Sequence, residues 1–143
     1  MGRIIMILVD TTVIIDIWRG KPQIKTLLKQ YKEESFFISA ITIAELYDGL
    51  GYTKEKKGNS IYKKIKEQIE KVLSGFHVIP LNIPILQESG AFKGILRAKG
   101  ILLDIADCII GLTAKLMNAE KIITRNTRHF QEFGINIESY NIT

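Results

Sequence analysis

Four side chains with oxygen donors stand where chemistry could be done. Asp10 ends an unbroken apolar run, Ile4 to Val9. Asp107 lies in a stretch that is apolar nearly all round, with Ile105, Ile109, Ile110, Leu112, Leu116 and Met117 about it. It shares a narrow strip of that helix with Gly111 and Ala114. A carboxylate on a buried helix needs a partner, because an unpaired buried charge is very costly. Small residues beside it leave space for something to approach. Glu45 falls within Ile41-Thr42-Ile43-Ala44-Glu45-Leu46, turned away from the face shared by Ile43, Leu46, Tyr47 and Leu50. Asn126 follows the apolar Ile122-Ile123.

Each of these has a plainer reading. Asp10 before Thr11 and Thr12 serves as well as a helix cap. Glu45 alone reads as a solvated helix face. Asp107 suits the first turn of a helix through the dipole, and Asp104, three residues earlier, is either the cap or a second ligand. Asn126 alone is a turn residue. Together they form oxygen donors at strand ends and helix starts, expected on one edge. Carboxylates brought close raise one another's pKa unless a cation neutralises them. Hard oxygen donors without a Cys or His cluster favour Mg²⁺ or Mn²⁺ over zinc. Such a site can orient phosphate oxygens and activate a water for in-line attack.

Other phosphate chemistries lack their parts. An aspartyl-nucleophile phosphatase wants a second Asp two residues after the first, and position 12 is Thr. The paired acids of a phosphoacceptor domain are absent at the first strand's end. There is no lysine-bearing phosphate loop and no GxGxxG.

The elements that must hold these residues follow from apolar periodicity. Ile4 to Val9, Phe36 to Ser39, Phe76 to Ile79, Lys121 to Thr124 and Ile135 to Ile137 read as short, buried strands. Helices are expected from Pro22 to about Tyr31, Thr42 to about Tyr52, Ile61 to Leu73, Asn82 to Lys99 and Ile105 to Met117, with a charged break over residues 54–60. Alternation of this kind predicts an α/β fold: a three-layer sandwich with a mostly parallel central sheet of about five strands, flanked by helices.

At 143 residues the chain suits one domain, here taken as 1–143. Hydrophobic residues make up 46%, too many for a disordered chain. One cysteine, Cys108, excludes a disulfide framework and reads as a buried small hydrophobe. The longest apolar run is six residues against the roughly twenty of a membrane span, so a soluble cytoplasmic protein with no membrane contact is expected. Twenty bases against fifteen acids give a net charge of +5, which favours an anionic partner.

Four segments resemble the signature segments of the PIN domain, and VapC toxins of toxin–antitoxin pairs most of all. They are Val9-Asp10-Thr11-Thr12-Val13-Ile14, Thr42-Ile43-Ala44-Glu45-Leu46-Tyr47-Asp48-Gly49, Asp107-Cys108-Ile109-Ile110-Gly111-Leu112-Thr113-Ala114 and Ile123-Thr124-Arg125-Asn126-Thr127-Arg128-His129-Phe130. The resemblance runs from about Ile4 to Ile137. It implies an endoribonuclease dependent on Mg²⁺ or Mn²⁺, with Asp10, Glu45 and Asp107 as the metal-binding acids. Asn126 matches the fourth site, Thr11 or Thr12 the hydroxyl position after the first acid, and Thr124 the threonine beside the fourth site. Gly111 departs from the alanine common in relatives. With Asn126 in place of a fourth acid, a second metal is expected only with substrate.

On this reading Asp10 and Asp107 anchor the metal, Glu45 binds directly or through water, and Asn126 and Thr11 position water or phosphate. Arg125 and Arg128 flank Asn126 and are expected to contact substrate phosphates, with Thr124 beside them. Arg97, Lys99, His129 and the lysines of 54–66 are further basic candidates. His77 and His129 read as structural or surface residues. The resemblance also implies a homodimer and a cognate antitoxin. The alternative is a catalytically weak PIN-like module that binds RNA or a protein partner.

Overall fold

A computed structural model describes residues 5–142 of the chain. Ile4, expected to open the first strand, lies outside the described residues. Five strands form one sheet: β1 (Met6–Val9), β2 (Ser35–Ser39), β3 (His77–Ile79), β4 (Lys121–Ile123) and β5 (Ile137–Glu138). Their order is β3-β2-β1-β4-β5, and all four pairings are parallel. The expected α/β sandwich is the observed one.

β1 lies at the centre, and Ile7, Leu8 and Val9 are fully buried. Side chains of a strand alternate between faces. Ile7 and Val9 accordingly join one apolar cluster, with Val13, Ile14, Ile24, Leu46 and Ile69. Leu8 joins the other, with Cys108, Ile110, Phe130 and Phe133. The first face is covered by α1 (Thr11–Trp18), α2 (Pro22–Lys29), α3 (Ala40–Lys57) and α4 (Asn59–Leu73). The second is covered by α5 (Ile83–Ala98) and α6 (Ile105–Leu116). Cys108 is buried on α6, as expected of a small hydrophobe.

Chain order reverses beside β1. β2 and β3 are added on one side, β4 and β5 on the other. A crevice opens at the carboxyl edge of such a switch point, between β1 and β4. Asp10 leaves β1 there, and its backbone N–H donates to Ile123 O at 3.3 Å.

Three boundaries differ from expectation. The charged break over 54–60 shrinks to Gly58: α3 runs on to Lys57 and α4 starts at Asn59. Lys and Glu are good helix formers, so only Gly58, at φ 92°, interrupts the helix. A short helix, α1, occupies Thr11–Trp18, where only capping residues were legible. The last strand falls at Ile137–Glu138 rather than Ile135–Ile137.

Candidate functional site

Asp10 is the N-cap of α1, and its side chain accepts from Val13 N–H at 3.3 Å. The cap reading and the site reading therefore describe one residue. Asp10 is only 3% exposed. Its second oxygen accepts from the Thr124 hydroxyl at 2.7 Å. Burial pushes the carboxyl up to about 6, the two hydrogen bonds oppose the rise, and the charges of Asp107 and Glu45 add to it. Among the described residues, no lysine, arginine or histidine pairs with it.

Glu45 stands on the exposed side of α3, as its helical position predicts, yet that side meets α1. The Thr11 hydroxyl donates to Glu45 Oε1 at 2.6 Å and lies 3.0 Å from the Thr42 hydroxyl. Partial burial raises the Glu45 pKa; the Thr11 bond opposes this, and Asp107, Asp104 and Asp48 reinforce it. Asp107, in the first turn of α6, is also raised, first by burial and then by Asp104, while His129 works the other way. His129 Nδ1 lies 3.0 Å from Asp107 Oδ2.

Three carboxylates, from the cap of α1, from α3 and from α6, thus sense one another's charge at one edge of the sheet. Each is meanwhile held by its own partner. Among the described residues, no three His, Cys, Asp or Glu side chains already form a cluster able to hold a metal ion. The donor set is all oxygen, and the raised pKa values mark an edge where a positive charge is missing. Both features fit a hard divalent cation.

Asn126 follows Thr124 on the same edge. Its backbone N–H donates to Thr124 Oγ1 at 2.9 Å, and its side-chain amide donates to Thr12 Oγ1 at 3.1 Å. Thr11 and Thr12 therefore divide the work left open between them, Thr11 holding Glu45 and Thr12 holding Asn126. Arg128 is exposed and lines a hollow of about 260 Å³ with Asn126, Thr127 and His129.

Arg125 also lines that hollow, but it is engaged otherwise than expected. Its Nε donates to Asp16 Oδ2 at 2.6 Å and its Nη2 to Asp16 Oδ1 at 3.0 Å. The Tyr140 hydroxyl also donates to Asp16 Oδ2 at 2.6 Å. Asp16 is fully buried. Burial alone would raise its pKa, but the bonds from Arg125 and Tyr140 and the arginine charge bring it below the ordinary range. Arg125, expected at substrate phosphates, is thus already paired with a buried acid while its side chain stays partly exposed. Asp16 gave no sign in the sequence, sitting between isoleucines like a chance polar residue.

One further expectation changes. The small strip beside Asp107 does not leave open space. A methyl group on Gly111 would stand 2.7 Å from the Phe133 ring, so the glycine admits a core aromatic. His129, read as a surface residue and a basic candidate, is partly exposed and sits against Asp107. Beside Glu45, an apolar groove of about 300 Å³ runs between α1, α3 and α4, lined by Ile15, Trp18, Leu46, Leu50 and Ile65 among others.

Comparison with known proteins bears on this geometry. The chain is 27% identical over 135 residues to the VapC ribonuclease Y4jK of Sinorhizobium fredii, spanning 92% of this chain and 95% of that one. It is 28% identical over 139 residues to the toxin FitB of Neisseria gonorrhoeae, spanning 95% and 97%. The fold matches a crystal structure of VapBC2 from Rickettsia felis bound to a DNA fragment from their promoter. That match has a TM-score of 0.80 at 19% identity and covers 96% of this chain and 100% of that one. The PIN domain pattern matches residues 7–136, so the acidic edge at the β1–β4 switch point belongs to a member of the PIN domain family.

Proposed function

We propose that this protein is a divalent-metal-dependent endoribonuclease, the toxin of a VapBC-type pair. One observation carries the reading. α1 and its N-cap present two buried acids, and among the described residues Asp16 has an arginine partner while Asp10 has none. Asp10 instead faces Glu45 and Asp107, so the protein leaves positive charge to come from outside. The relatives named a VapC ribonuclease and a toxin support the activity and the biological class.

Asp10, Asp107 and Glu45 would hold Mg²⁺ or Mn²⁺. Bound there, the cation supplies charge that draws phosphate oxygens and a water together for in-line attack. The chain's own residues orient the site. Thr124 fixes the Asp10 carboxylate, and Thr11 fixes Glu45. Asn126, held by Thr12, is placed to direct the attacking water or a scissile-phosphate oxygen. Arg128, exposed beside it, is the substrate-phosphate contact that remains once Arg125 is paired.

A solved relative from Klebsiella pneumoniae described as a toxin–antitoxin complex supports a cognate antitoxin, and the apolar groove beside Glu45 offers that partner a surface. A homodimer is proposed on the exposed Ile83, Leu86, Ile95, Ile105 and Leu116 of the packed α5 and α6. A cytoplasmic location accords with the finding that no described helix is long and apolar enough to cross a membrane.

The test is cleavage of RNA with Mn²⁺, with EDTA, and with Asp10→Asn. We expect metal-dependent cutting that the substitution abolishes. Cutting that survives both EDTA and Asp10→Asn would refute the site. Equal RNA binding with no cutting under any metal would establish the binding-module alternative.

A further inference from the structure

The charge of this protein is not spread over it. Between Lys54 and Lys66 there are six lysines and one glutamate. Their net of five equals the +5 of the whole chain, and the fourteen bases elsewhere balance the fourteen acids elsewhere. The structure places this segment at the turn of a helical hairpin, where α3 ends, Gly58 reverses the chain and α4 begins. Residues 54–61 are exposed without interruption. Two tyrosines are interleaved with the lysines. Lys54 Nζ lies 5.0 Å from the Tyr62 ring centroid and Lys56 Nζ lies 5.9 Å from that of Tyr52, which is 66% exposed.

The same helix carries the candidate site at its other end. Glu45 and Lys54–Lys57 are nine to twelve residues apart on the continuous α3, about 14–18 Å along its axis. A polyanion brought to Asp10, Glu45, Asp48, Asp104 and Asp107 meets repulsion, and the charge-balanced remainder of the chain does little to offset it.

We propose that the tip of the α3–α4 hairpin is the docking surface for single-stranded RNA, holding the strand a few nucleotides from the site. The proposal rests on the ribonuclease reading for the identity of the polyanion. Lysines track the backbone and draw the strand in from a distance. Tyr52 supplies a face on which a base can stack, a feature that an acidic polypeptide would not use. Affinity thus resides on the hairpin and chemistry at the sheet edge.

The experiment separates binding from cleavage. Binding of a fluorescent single-stranded RNA of about 12 nucleotides is followed by anisotropy in EDTA over a range of salt. We compare the wild type with Lys54→Gln/Lys56→Gln/Lys57→Gln, with the same positions changed to Arg, and with exposed lysines elsewhere, Lys25→Gln/Lys29→Gln/Lys32→Gln. The hairpin glutamines are expected to weaken binding about tenfold and flatten the salt slope by about 2, whereas the arginines restore both and the distant set changes neither. With Mn²⁺ present, KM should rise while kcat holds. Wild-type affinity in the hairpin variant overturns the proposal. So does an equal loss in the distant set, or a loss confined to binding of polyglutamate. Absence of cleavage by the wild type counts against the nuclease reading alone, because the anisotropy arm does not depend on it.

Discussion

Two aspartates on one short helix show how burial can serve opposite ends. Asp16 is paired within the protein, so its stabilisation is present above the ordinary carboxylate range and is lost as pH falls through its lowered folded pKa. Asp16→Asn should therefore cost about 3 kcal/mol at neutral pH, the lower end for breaking a buried pair because Arg125 keeps some solvent. Its stability deficit should vanish in strong acid, as urea titration against pH will show. Asp10 has the other sign. Its folded pKa of about 6 lies above the unfolded value, so its charge destabilises the metal-free fold increasingly as pH rises from about 4 to about 6. The full cost is on the order of 3 kcal/mol. Asp10→Asn should thus abolish cleavage yet raise the metal-free Tm at neutral pH, with no gain near pH 4. A Tm that falls at neutral pH would show that Asp10 serves the fold rather than an ion.

The elements explain why so few residues suffice to build the edge. β4 ends at Ile123, and the next three residues each reach back to α1 or its cap: Thr124 to Asp10, Arg125 to Asp16, Asn126 to Thr12. The loop after one strand is thereby laid against the helix after its neighbour. α6 is set against the sheet by a different device. Gly111 lets the Phe133 ring approach, and Phe133 packs in turn, tilted, against Phe92 and Phe130 at centroid distances of 5.0 and 6.2 Å. Gly111→Ala adds helix propensity worth about 1 kcal/mol but forces the ring aside at a cost of about 1–3. The net should be a loss of up to about 2 kcal/mol and a Tm lowered by as much as several degrees, read by calorimetry. Because α6 carries Asp107, metal affinity should weaken in the same variant.

At the scale of the whole molecule, the parallel sheet assembles the site and leaves it short of charge. Mn²⁺ should supply what is missing, raising Tm by an amount that grows with its concentration, about 2.7 kcal/mol at a hundredfold excess over Kd. The gain should be larger at neutral pH than near pH 5, where protons compete for Asp10. A shift independent of pH would place the ion elsewhere. The hairpin adds the complementary part, a cationic arm on a molecule otherwise balanced in charge.

The strand and helix types, the two-faced core and the identity of the four edge residues were legible in the sequence, because periodicity and residue type are local properties. The reach of α3 was not, since a run of lysines reads alike in a loop and in an exposed helix, and Gly58 alone decides. Neither was the fate of Arg125, the space at Gly111 or the place of His129. Each depends on a residue distant in the chain, Asp16, Phe133 and Asp107, brought into contact only when β4 settles beside β1. Composition records how many charges a chain carries, but only packing determines which of them are already matched.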